Sequence, residues 1–194
     1  MLEDITYTGE KIDDFEMLER LPTELKDFYL QINGLIAFSG GFHFRGCVKE
    51  PAWHSLSEFW VGAHKLTDQF KSLEPTDIPF GQDCFGDQYL LRNKQVILLS
   101  SETDEIEHLE IEFSEFLEEL QEDPYEFLNI DNVESFELAP GELLNVYPPF
   151  CVTHEGEYTI KKVPVLERIR FLSALAAEIK NLPNGAQLKI KPAE

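Results

Sequence analysis

The sequence predicts an α+β fold: a central, largely antiparallel sheet with helices packed around it, followed by a C-terminal elaboration. Three observations carry that expectation. Several stretches place apolar residues at the i, i+3, i+4, i+7 spacing of one helix face. Two short apolar runs, Gln88–Leu91 and Val96–Leu99, are joined by Arg92-Asn93-Lys94 and read as a paired hairpin. Of the 194 residues, 43% are hydrophobic and 12% aromatic, which is enough for one well-filled core.

In chain order, a helix is expected around residues 10–20, with Ile12, Phe15 and Leu18 on one side. Pro22 suits the first position of a second helix, in which Leu25, Phe28, Tyr29 and Ile32 keep the helical spacing. Asn33-Gly34 stops it, because glycine takes the left-handed conformation at low cost. Ile36–Phe44, with Gly40-Gly41 inside it, reads as strand, tight turn and strand. Ser55-Leu56-Ser57-Glu58 fits a capping box that opens a short helix with Leu56, Phe59, Trp60 and Ala63 on one face. Ile78-Pro79-Phe80-Gly81 leads into a turn bracketed by Gly81 and Gly86, with Asp87 expected to bond the local amides that hold it. The hairpin that follows has continuous apolar runs, which suit strands covered on both faces.

Beyond Ile106, Leu109 and Ile111 comes an amphipathic helix, with Phe113, Phe116, Leu117 and Leu120 inward. Asp123-Pro124 ends it, and a short helical piece follows at Tyr125–Leu128. Residues 129–163 read as loop-rich, with a strand at Tyr158–Val163. Pro164 opens the longest helix, through about Lys180, with Leu166, Ile169, Leu172, Ala176 and Ile179 apolar. Asn184-Gly185 then turns into a last alternating strand, Gln187–Lys191. The division drawn from this is a core domain over residues 1–128 and a loop, helix and strand extension over 129–194, packed on the core.

Charge is the informative part of the composition. The net charge is −21, and residues 95–160 hold 18 acidic side chains without one Lys or Arg. Residues 161–194 lean the other way, with 7 basic and 3 acidic side chains. Such a chain is expected to avoid nucleic acid and anionic lipid, which need Lys and Arg against phosphate, and to attract a basic protein. Simple solubility is the competing account of the same charge. No apolar run spans a bilayer, the acidic start is unlike a signal peptide, and three isolated cysteines suit a reducing compartment. The expected location is cytoplasmic.

Motifs for chemistry are missing. There is no phosphate-binding glycine loop, no GxSxG elbow, and no HExxH or CxxC among the five histidines and three cysteines. Asp83-Cys84-Phe85-Gly86-Asp87 fails as a calcium loop, with Phe85 at a ligand position and Lys94 at the twelfth. No catalytic residue, metal or cofactor is therefore expected. Trp53 is weighed as an interface residue, whereas Trp60 sits at helical spacing with core neighbours.

Three segments in order resemble the SUKH superfamily: Leu21-Pro22 with the helix Leu25–Ile32 and Asn33-Gly34; Ile78-Pro79-Phe80-Gly81-x-Asp83-x-Phe85-Gly86-Asp87 before the strand Gln88–Leu91; and Phe113-x-x-Phe116-Leu117 with Asp123-Pro124 shortly after. That superfamily groups fungal regulators of cell-wall glucan synthesis with bacterial immunity proteins that neutralise toxins. The resemblance covers roughly residues 10–128 and implies an α+β fold without catalytic residues. Pro22, Asn33, Gly34, Gly81, Gly86 and Asp87 are then fold determinants. With the charge, it implies a non-catalytic immunity protein that binds a basic toxin domain, for instance a nuclease. A regulatory scaffold for endogenous proteins is the alternative. The expected contact residues are Glu115, Glu118, Glu119 and Glu122 on the amphipathic helix, the acidic loop before it (Glu102, Asp104, Glu105, Glu107), and Trp53.

Overall fold

Seven strands follow one another across a single sheet in the computed structural model, which describes residues 2–130 and 133–182. They are β1 (Tyr7–Thr8), β2 (Leu35–Ala37), β3 (Phe42–Phe44), β4 (Ile78–Asp83), β5 (Gln88–Arg92), β6 (Gln95–Ser100) and β7 (Glu105–Glu112). Each pairs antiparallel with its neighbour in sequence. A separate antiparallel hairpin joins β8 (Glu142–Tyr147) to β9 (Thr159–Pro164). The helices are α1 (Phe15–Arg20), α2 (Thr23–Gln31), α3 (Leu56–Trp60), α4 (Leu66–Gln69), α5 (Phe113–Glu122), α6 (Pro124–Leu128) and α7 (Val165–Ile179). The chain is α+β with an antiparallel sheet, as its sequence predicts. The expected Asn184-Gly185 turn and Gln187–Lys191 strand lie outside the described residues. Among the described residues no helix is long and apolar enough to cross a membrane.

The β5–β6 hairpin shows why this sheet is two-sided. Asn93 and Lys94 both have positive φ, 52° and 72°, the geometry of a two-residue turn that matches strand twist. Tyr89, Leu91 and Val96 then face a core built around Phe42, Phe44, Phe80, Phe113 and Phe116. Leu90, Ile97 and Leu99 face a second core with Val165, Ile169 and Leu172 of α7. Both faces are covered, in agreement with the continuous apolar runs. The segment after residue 128 supplies both cores: Ile130, Val133, Leu138 and Leu144 enter the first, and Leu143 with the α7 side chains the second.

Several local expectations are corrected. The first helix starts only at Phe15, because Asp14 caps it by accepting from the Met17 amide at 3.1 Å. It buries Met17 and Leu18 and leaves Phe15 exposed. Pro22 stands at the cap of α2, one residue ahead of its expected place. Ile78-Pro79-Phe80-Gly81 is not the entry to a turn but part of the fully buried strand β4. Gly81 lies inside that strand, where a Cβ would come within 2.5 Å of the Phe42 ring, so close packing explains it better than a turn does. The acidic "loop" before α5 is in part β7, an edge strand with Glu105 and Glu107 exposed on it. β8 lies in the stretch read as loop, its Leu143, Leu144 and Val146 buried through pairing with β9.

Candidate functional site

The turn between β4 and β5 is the joint on which the C-terminal segment docks. Asp83 Oδ1 accepts from the amides of Phe85, Gly86 and Asp87 at 2.9, 2.8 and 3.0 Å. The amide-bonding role expected of Asp87 thus belongs to Asp83, since only the residue opening the turn has all three amides converging on it. Asp87 reaches the next hairpin instead, accepting from the Ser101 amide at 2.8 Å. Gly86 has φ +102° and lies under Leu172 of α7, whose Cδ1 would be 2.8 Å from an added Cβ. Arg168, in the α7 turn before Leu172, donates from Nε to the Phe85 carbonyl at 3.0 Å and from Nη1 to Asn145 Oδ1 at 2.6 Å. Its Nη2 stands 3.7 Å from Glu102 Oε1.

Above this joint opens a cleft of about 860 Å³. Its floor carries Asp83, Asp87, Glu102 and Arg168, and one rim carries Glu105 and Glu107 of β7. Phe127 of α6 and Phe150 of the β8–β9 connection also line it. Glu102 Oε2 accepts from the Cys151 amide at 2.8 Å, which ties that connection to the floor. Phe150 is 50% exposed, and its ring stacks edge-on against Phe85 at 5.2 Å and Tyr158 at 5.4 Å.

The electrostatics of the floor follow from burial. Burial, with the charge of Asp87 beside it, pushes the Asp83 carboxyl well above its usual range. Asp87 is pushed up to about 6, chiefly by burial; the Ser101 amide and Arg168 oppose the shift, and Glu102 adds to it. Burial likewise lowers Arg168, and Glu102, Asp87 and Asp83 work against that shift.

The expected contact residues fall into four groups. Glu105 and Glu107 stand at the cleft, together with the more buried Glu102. Asp104 is turned inward, accepting from the Lys71 amide, the Ser72 amide and the Ser72 hydroxyl at 3.0, 3.1 and 2.7 Å, and pairing with Lys180 at 3.3 Å. These donors hold its carboxyl below the usual range despite burial, so it is a clasp within the fold. The α5 set lies away from the cleft: Glu118, Glu119 and Glu122 are exposed, while Glu115 also accepts from the Glu112 amide at 2.9 Å at the helix start. Trp53 is half-buried, with Tyr7, His43 and His54 rings at 5.2, 5.3 and 5.4 Å.

The remaining named positions are structural in their contacts. Asn33 donates to the Glu10 carbonyl and accepts from the Cys47 amide, both at 2.8 Å, and Gly34 follows at φ +76°. Arg168, Phe150, Asp83 and Phe127 were not singled out as site residues from the sequence. One signal for Arg168 was there: a cation between Val165, Ile169 and Leu172, on the apolar face of a helix.

No curated protein and no solved structure gives a significant match to this chain. A family model does match it, over residues 7–119, a span running from β1 into α5 that includes the Asp83–Asp87 turn. With more than half of its length covered, the chain belongs to the SMI1 / KNR4 family (SUKH-1).

Proposed function

We propose that this protein is a non-catalytic binding protein that docks a basic protein through its acidic surface, as an immunity protein would neutralise a toxin domain. Membership of the family supports the broad reading, and α5 supplies the observation that carries the rest. Glu118, Glu119 and Glu122 project from the C-terminal part of this helix, where the helix dipole disfavours negative charge. Its last turn has no basic residue, and among the described residues no cation pairs with these three carboxylates. Like charges at i, i+4 cost the helix a few tenths of a kcal/mol more. A surface arranged against its own helix is accounted for by a partner of opposite sign.

The test uses the product of the neighbouring gene as candidate partner, with association followed by stopped flow over a range of salt. The triple reversal Glu118→Lys, Glu119→Lys, Glu122→Lys is expected to fold with an unchanged or slightly raised Tm. It should slow association about tenfold and flatten its salt dependence, because peripheral charge acts mainly on encounter. A folded triple variant with the original rate and salt slope would leave the charge as solubility alone. Stable capture of an endogenous protein of unrelated function would favour a regulatory scaffold.

A further inference from the structure

The cleft combines features that the charged helix face lacks. Five carboxyl groups line it (Asp83, Asp87, Glu102, Glu105 and Glu107) against one cation, Arg168. That cation is already committed: Arg168 is 1% exposed and donates to Phe85 and Asn145. Glu102 is only 8% exposed and is engaged within the fold, its Oε2 accepting from the Cys151 amide and its Oε1 ion-paired with Arg168 Nη2 at 3.7 Å. The exposed carboxylates that a guest in the cleft would meet are those of Glu105 and Glu107 on the β7 rim. The walls add aromatic surface, with Phe150 presented at the entrance and braced by Phe85 and Tyr158.

Resting on the reading of a basic protein partner, we infer that this cleft receives an arginine side chain projected from that partner. A guanidinium meets both demands at once. Its planar fork donates in parallel to carboxylates, and its faces stack on aromatic rings. The volume, about 860 Å³, admits the loop that carries the side chain as well. Phe127, Phe150, Cys151 and Arg168 all lie beyond residue 119, where the family match ends. The matched span therefore supplies the carboxyl groups of the cleft, and the segment beyond it supplies the aromatic entrance that selects the guest.

The experiment is an amide NMR titration of the full chain with two capped probes, acetyl-Gly-Arg-Gly-amide and octa-arginine, and acetyl-Gly-norleucine-Gly-amide as the uncharged control. Saturable shifts are expected at residues 102–107 and 150–151 with the single-arginine probe and none with the control. Glu105→Gln with Glu107→Gln, both at exposed positions, should weaken the arginine probe at least fivefold, and Phe150→Ala at least threefold. The α5 triple reversal should leave its affinity unchanged. Shifts confined to α5, or an unaltered affinity in the cleft variants, would overturn the cleft while leaving the basic-partner reading in place. Failure of octa-arginine to bind saturably anywhere would remove both.

Discussion

Two arginines are buried in this molecule, and they are compensated in opposite ways. Arg45 is 0% exposed and is surrounded by neutral oxygens. It donates from Nη1 to the Pro79 carbonyl at 2.8 Å, and from Nη2 to Gln82 Oε1 and Gln88 Oε1 at 2.7 and 2.6 Å. Its guanidinium also lies 4.1 Å from the centre of the Phe59 ring. Burial pulls it down to about 9, which leaves it charged at neutral pH. Arg168 is as deeply buried but has three carboxyl groups near it. Each field is visible in its neighbours. Around Arg45, burial holds His54 down to about 4 and His43 well below its usual value, with the Arg45 charge adding to both shifts. Around Arg168, the crowded carboxyls are pushed up instead. A buried charge held by fixed dipoles acts as a strut that pH hardly touches. One held by carboxyls beside an open cleft responds to protonation and to whatever enters.

The largest effect that sharpens this contrast is expected from Arg45→Met. It takes the arginine donors from the buried Pro79 and Gln88 oxygens and leaves Gln82 Oε1 only a long bond from Gln88 Nε2 at 3.4 Å, at a cost of about 3 kcal/mol or more. Urea denaturation should return the same loss at pH 5.5 and 8, because the nearby histidines stay neutral throughout that range. A loss that varied with pH would mean that the histidine pair senses Arg45 in a way the geometry does not indicate.

Arg168→Met should cost less, about 2 kcal/mol at pH 7.5, through the lost bonds to Phe85 and Asn145 and the unpaired charge left on the floor. Here the penalty is expected to shrink as the pH falls below about 6, where Asp87 takes up a proton. An equal penalty at pH 5 and 7.5 would break the comparison between the two arginines.

Asp87→Asn gives the smallest and most specific signal. Asp87 is raised to about 6 in the fold, against roughly 3.9 in an unfolded chain. The stability it contributes is therefore fully present below about pH 4 and is lost as the pH rises through about 6. Asparagine still accepts from the Ser101 amide but never ionises. Between pH 4 and 7 the native protein should lose about 1–2 kcal/mol more than the variant. Parallel stability curves would place the buried negative charge elsewhere, on Asp83 or Glu102.

Much of the fold was legible because its signals are local. The continuous apolar runs of β5 and β6 have a turn of the right chemistry between them, and the faces of α5 are separated residue by residue. Ser55 does cap α3, accepting from the Glu58 amide at 3.3 Å. Glu58 completes only half of the expected box, its carboxylate accepting from the Ala63 amide instead. Less legible was β8, six residues between Pro140-Gly141 and Pro148-Pro149 whose strand character comes from pairing with β9. Gly81 misled for a similar reason: the ring that excludes a side chain there belongs to Phe42, on the adjacent strand.

The sequence by itself determined the α+β class, the amphipathic helices and central hairpin, the family, and the strongly acidic charge. Each depends on composition or on residues a few positions apart. Tertiary structure decided which carboxylates face outward. Glu102, Asp104, Glu105 and Glu107 look alike along the chain, and the fold gives them different tasks. Asp104 is clasped by Lys71 and Ser72, 33 and 32 residues before it, and by Lys180, 76 residues after it. Glu102 meets Arg168 and the Cys151 amide, while Glu105 and Glu107 are left at the rim of the cleft. A carboxylate is drawn inward only where folding assembles donors around it, and those donors come from distant parts of the chain.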